Sequence, residues 1–145
     1  MASPKLKTAL DKINNLLAAS GLFPGGVQIG EPKKAPGDVA AAIIIGNGSI
    51  EELRYGTQSL DKREIIIRVY INMLGSPEED IEFLLDEIWV TVKPLLLADL
   101  ELALTGIYYA EPSGITYSCG YVQVDQTVFR QMDISIPMLI DDAAT

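Results

Sequence analysis

The sequence predicts an α+β domain: a mixed, mainly antiparallel β-sheet with two principal helices packed on one face. Three observations carry this. Two stretches, residues 4–20 and 77–93, repeat apolar residues at three and four behind helix-start signals. Residues 64–74 carry one fully apolar face and one mixed face, as a strand partly buried against a neighbour does. The C-terminal stretch, residues 120–139, is a long alternating pattern with one Pro near its end. Elements run helix, strands, helix, strands without an internal repeat, which places helices and sheet in separate layers.

The first helix starts at Ser3-Pro4, a serine cap followed by proline at the first helical position. Leu6, Leu10, Ile13 and Leu17 form its apolar stripe, and Gly21 supplies the stop. Residues 27–29 read as a short strand, and residues 31–38, with Pro32, Pro36 and Gly37, as an exposed loop. Residues 39–45 are a continuous small-to-branched apolar run, so a buried strand. Gly46-Asn47-Gly48-Ser49 reads as a turn, with residues 50–55 returning as the second strand of a hairpin.

In the 64–74 strand, Ile65, Ile67, Val69, Ile71 and Met73 share one face, and Glu64, Ile66, Arg68, Tyr70 and Asn72 the other. Ser76 then caps a second helix with Pro77 first and Glu79 closing a capping box. Ile81, Leu84, Leu85, Ile88 and Val92 form its core stripe, with Trp89 beside it, and Pro94 is expected to kink or end it. Residues 95–104 read as a further helical turn or two. Strands follow at 107–111, 116–125 and 128–139, with a turn at Pro112-Ser113-Gly114. The expected core is Leu10, Ile13, Leu17, Ile67, Val69, Leu84, Leu85 and Ile88.

At 145 residues the chain reads as a single domain spanning 1–145. Its net charge of −9 argues against a sequence-independent duplex binder, which needs a basic face. The charge is uneven: residues 1–38 hold five lysines against three acidic residues, and the remainder six basic against seventeen acidic. No signal-peptide pattern stands at the start, and no apolar run approaches a membrane span.

The chain has no histidine, which removes the commonest general base and metal ligand. Neither a dinucleotide nor a phosphate loop is present. The carboxylates Glu78, Glu79, Asp80, Glu82, Asp86 and Glu87 read as helix capping and a solvated face, since calcium-loop spacing and glycine are absent. Cys119, the only cysteine, reads as a buried small residue. Tyr108, Tyr109, Tyr117 and Tyr121 lack interleaved basic residues, so they read as sheet packing or a protein interface rather than base-stacking platforms. The expectation is no catalytic residue, no cofactor and no metal site. Lys33 and Lys34 are the candidate partner contact, in their loop.

The order of elements resembles the tail terminator (tail completion) proteins of long-tailed phages. The likeness spans most of the chain. It consists of the amphipathic first helix, the apolar strand with its Gly/Asn segment, the long strand ending Ile71-Asn72-Met73-Leu74, the Ser-Pro-Glu-Glu helix start, and the closing run Phe129-Arg130-Gln131-Met132-Asp133-Ile134. The resemblance implies a structural virion protein of the tail or neck, assembled in the host cytoplasm. It implies a homo-oligomeric ring, a hexamer, that caps the tail tube, stops its growth and offers the surface for head-tail joining. Its partners would be copies of itself, the tail tube protein and the head-tail connector protein. DNA would pass through the channel without specific binding, and no membrane is involved. The alternatives are a head-side connector or head-closure protein, a tail tube subunit of the same virion, a monomeric binding module, or a small carboxylate-dependent enzyme.

Overall fold

The computed structural model describes residues 4–53, 59–97, 107–109 and 114–141. Its elements are α1 (Pro4–Ala19), β1 (Val27–Ile29), β2 (Ala40–Leu53), β3 (Ser59–Asn72), α2 (Glu78–Leu97), β4 (Ile107–Tyr109), β5 (Thr116–Val124) and β6 (Thr127–Asp141). The strands form one six-stranded sheet in the order β1-β2-β3-β6-β4, with β5 also paired to β6. Among the described residues only the β1–β2 pairing is parallel, and the other four are antiparallel. The expected α+β fold, mainly antiparallel with both helices on one face, is what forms.

The core follows from strand alternation. Ile65, Ile67, Val69 and Ile71 of β3 lie beside Ile136, Ile134, Met132 and Arg130 of β6 in register. Ala41 and Ile43 of β2 extend the same face. Against it pack Leu6, Leu10, Ile13 and Leu17 of α1 and Ile81, Leu85, Ile88, Val92 and Leu96 of α2. Burying a single side chain of this size is worth roughly 1.5–3 kcal/mol, so this one layer dominates the stability.

Several sequence expectations are corrected. Gly46-Asn47-Gly48-Ser49 is not a turn; it lies inside β2, which runs on to Leu53 as one strand with its register shifted between Ile45 and Gly48. The reason is local space. A side chain at Gly46 would collide with the Glu64 carboxylate from β3, so the glycine admits a bulge rather than reversing the chain. The partner strand is correspondingly longer than the alternation suggested, beginning at Ser59. The hairpin connection then falls at 54–58, outside the described residues.

Pro94 neither ends nor interrupts α2, which continues to Leu97. Proline leaves the Val90 carbonyl without its helical donor. Val90 and Pro94 are both exposed, so the freed carbonyl lies on the side of the helix away from the core, while buried Val92 and Leu96 hold the next turn to the core. The helix begins at Glu78, one residue later than read, with the Pro77 carbonyl accepting from the Ile81 N–H at 3.2 Å. Leu84 is half-buried at the margin of the core rather than inside it, because the stripe facing the sheet is 81, 85, 88, 92 and 96. The Ser3 cap, residues 98–104 and Pro112-Ser113 lie outside the described residues.

β5 and β6 are joined by Asp125-Gln126, both with positive φ (46° and 68°), the backbone of a two-residue hairpin turn whose twist suits antiparallel strands. Pro137 sits in β6 between its last β5 partner, Ser135, and its first β4 partner, Met138. A residue with no N–H to give thus falls where the outer partner changes.

Candidate interaction surface

The sheet face turned away from the helices carries a connected polar network. Register places Arg68 of β3 directly beside Asp133 of β6. The guanidinium grips the carboxylate with two bonds, Nε to Oδ1 at 2.8 Å and Nη2 to Oδ2 at 3.0 Å. Gln131 Nε2 donates to the same Oδ1 at 2.8 Å. The third side of Arg68 is taken by Glu31, from the segment between β1 and β2. The Asp133 bond is the main reason the Arg68 pKa is raised, and burial works against it.

Above this network lies a small second core. Tyr70 and Phe129 meet edge to face, 6.0 Å between centroids at 84°, over Ala42. Ala35 packs on it from the 31–38 segment. Burial pushes the Tyr70 phenol up, Glu31 adds to the effect, and Arg68 opposes both. The 31–38 segment is therefore fastened at Glu31 and Ala35 across the sheet face, and Lys33 and Lys34 between them point into solvent. The two candidate lysines are carried on a segment fastened on either side of them. Sequence reading found the lysines and missed the fastening, since Arg68, Asp133 and Glu31 come together only through register.

Towards the other end of this face, Glu64 accepts from the Asn47 N–H at 3.0 Å and from the Ser135 hydroxyl. These residues, with Lys62, Ser49 and Gly48, line an open groove of about 520 Å³.

On the helix side, Arg130 ties β6 to α2 and β5. It donates to Glu82 through Nε (3.0 Å) and to the Gly120 carbonyl through Nη1 (2.7 Å), and lies 4.7 Å from the Tyr121 ring. Glu82 is thus an ion-pair partner, which accounts for one carboxylate of the acidic α2 group. Glu78, Glu79 and Asp80 occupy the first turn, where they suit the positive helix end. Among the described residues no three or more His, Cys, Asp or Glu side chains converge as metal ligands.

Cys119 is exposed, against expectation. Among the described residues β5 is flanked by β6 on one side only, and α2 covers it incompletely, leaving a cleft of about 140 Å³ beside Cys119 and Trp89. What burial there is pushes the thiol pKa up, with Arg130 opposing. Tyr117 packs on Trp89 at 4.6 Å between centroids, and both Tyr117 and Tyr121 stay substantially exposed.

No family model matches the chain, and no curated protein matches it. Solved structures do: 26 chains match. One of them, carrying only a serial designation, aligns over 97% of this chain and 97% of its own, with a TM-score of 0.58 at 12% identity. Likeness at that identity establishes the fold and nothing further. Among the described residues no helix is long and apolar enough to cross a membrane.

Proposed function

We propose that this chain is a tail terminator of a long-tailed phage. It forms a homomeric ring, a hexamer, that caps the tail tube, halts its growth and presents the surface on which the head-tail connector docks. The observation that carries the reading is the ordered set of family-like segments, above all Phe129-Arg130-Gln131-Met132-Asp133-Ile134, which lies in β6 between β3 and β5. In that setting each residue of the run has a structural task. Phe129 fills the second core, Arg130 pairs with Glu82 and Asp133 with Arg68, Gln131 donates to Asp133, and Met132 and Ile134 are fully buried.

Charge supports the role. Beyond residue 38 the chain holds seventeen acidic against six basic residues, and such a wall repels DNA phosphates and lets the duplex slide. Lys33 and Lys34, held out on their fastened segment, are the contact offered to the tube or to a neighbouring subunit. Deleting the gene from its phage tests the reading: overlong, headless tails are expected, and normal-length tails joined to heads rule it out.

A further inference from the structure

The outward face of α2 carries an apolar stripe that the core does not use. The sheet takes Ile81, Leu85, Ile88, Val92 and Leu96. On the opposite side of the helix stand Phe83, Val90 and Leu97, which are 66%, 53% and 40% exposed. They are seven residues apart, close to two helical turns per step, so they line up along the axis. Single exposed apolar residues are ordinary, but an aligned row of three on one helix is a surface for packing.

Charge on the flanks selects what covers it. All six acidic residues of α2 lie between Glu78 and Glu87, and its single basic residue, Lys93, lies in the other half. Asp86 and Lys93 are also seven apart, so they share one flank of the stripe, and Glu87 stands on the other. The Lys93 ammonium is kept on its flank by the Trp89 ring, 5.8 Å away. One helix therefore carries both members of a charge complement.

A second α2 laid antiparallel, with Val90 against Val90 on the two-fold axis, matches this pattern. Each acidic half then lies beside the half that bears Lys93. Phe83 meets Leu97 of the second copy, and Asp86 meets its Lys93. A parallel pair instead sets Asp86 beside the Glu87 of the second copy, where like charges repel.

We infer that two copies of this chain pair through their α2 helices, antiparallel and two-fold. The Phe83, Val90 and Leu97 stripe forms the centre of the contact and the Asp86–Lys93 pairs its edge. An isologous contact of this kind closes at two copies. It is distinct from the head-to-tail contacts of a ring, so it goes beyond the ring reading and does not depend on it.

Every residue involved is exposed, so substitutions reach the contact without entering the core. Sedimentation of the full-length chain from micromolar to millimolar concentration should show a monomer–dimer equilibrium. Val90→Glu should abolish it. Asp86→Lys should weaken it roughly tenfold, because two opposite-charge pairs become like-charge pairs. Asp86→Lys combined with Lys93→Asp should restore it. Orientation is read by disulfide trapping in a Cys119→Ser background. Val90→Cys, on the two-fold axis, should give a covalent dimer. Phe83→Cys should not, since the two positions stand about 21 Å apart along an antiparallel pair. Circular dichroism checks that each variant is folded. A folded chain that stays monomeric to millimolar concentration overturns the pairing, as does association unaffected by Val90→Glu. Failure of the double swap to restore the loss, or equal trapping from Phe83→Cys, overturns it as well. Each of these results leaves the ring reading standing, and the tail-length phenotype judges that reading separately.

Discussion

Arg68 and Asp133 stand directly opposite each other on the two central strands and are joined by two hydrogen bonds, 2.8 and 3.0 Å long. Both side chains are about one-fifth exposed, so the pair is neither free in water nor sealed from it. Such a position strengthens the interaction above that of a surface ion pair. Asp133→Ala leaves Arg68 with Glu31 alone and frees Gln131, and should cost about 1–3 kcal/mol in urea unfolding. Arg68→Lys should recover little, because an ammonium cannot make the two-pronged contact. Wild-type stability in Asp133→Ala would contradict this role.

The bulge in β2 gives a second prediction. Alanine at Gly46 drives a methyl into the Glu64 carboxylate, which the Asn47 N–H and the Ser135 hydroxyl hold in place. Gly46→Ala should therefore destabilise by about 1–2 kcal/mol, the worth of the displaced bonds. In a Glu64→Ala background the same substitution should cost less than half as much. A double-mutant cycle reads the difference, and additive costs would place the strain elsewhere.

In α2, adjacent leucines should behave differently. Leu85 is 4% exposed inside the core, and Leu84 is half-buried at its margin. Leu85→Ala should cost about 2–5 kcal/mol and Leu84→Ala less than half of that. Equal losses in reversible unfolding would mean the helix is rotated from the position described.

Tyr70 makes stability depend on alkaline pH. Burial first, then Glu31, raises its pKa above the ordinary tyrosine value of about 10. The folded state thus holds the phenol proton more tightly than the unfolded chain. Its contribution is fully present below about pH 10 and is lost as pH rises through the raised folded value. Tyr70→Phe should flatten that alkaline decline. An unchanged slope above pH 10 would remove Tyr70 as its cause.

The elements legible in the sequence are those with a strong period or a local stop signal. α1 ends before Gly21, whose φ is 76°, and the core face of β3 and that of β6 from Met132 to Met138 follow their alternation, with Val128 at the start of β6 left exposed. Misreadings arose where tertiary context decides. Gly46 and Gly48 have turn composition, yet the neighbouring strand uses their missing side chains to seat Glu64 and Arg63. Pro94 has breaker chemistry, yet it and Val90, whose carbonyl it leaves without a helical donor, are exposed, and the helix continues to Leu97. Cys119 has the type of a buried residue, but its strand lies at the edge of the sheet. In the candidate surface, Lys33 and Lys34 could be named from the sequence. The Glu31–Arg68–Asp133 fastening could not, because it joins positions 37 and 65 residues apart through strand register.

The central claim is that this chain ends a phage tail. The most direct measurement is the distribution of tail lengths, by electron microscopy, in lysates of the phage lacking this gene, with and without the chain supplied in trans. The account predicts long, variable tails without heads in the deletion. Normal tails should return with the wild-type chain, and fewer joined particles with a Lys33→Glu, Lys34→Glu chain. Tails of normal length attached to heads in the deletion would contradict it.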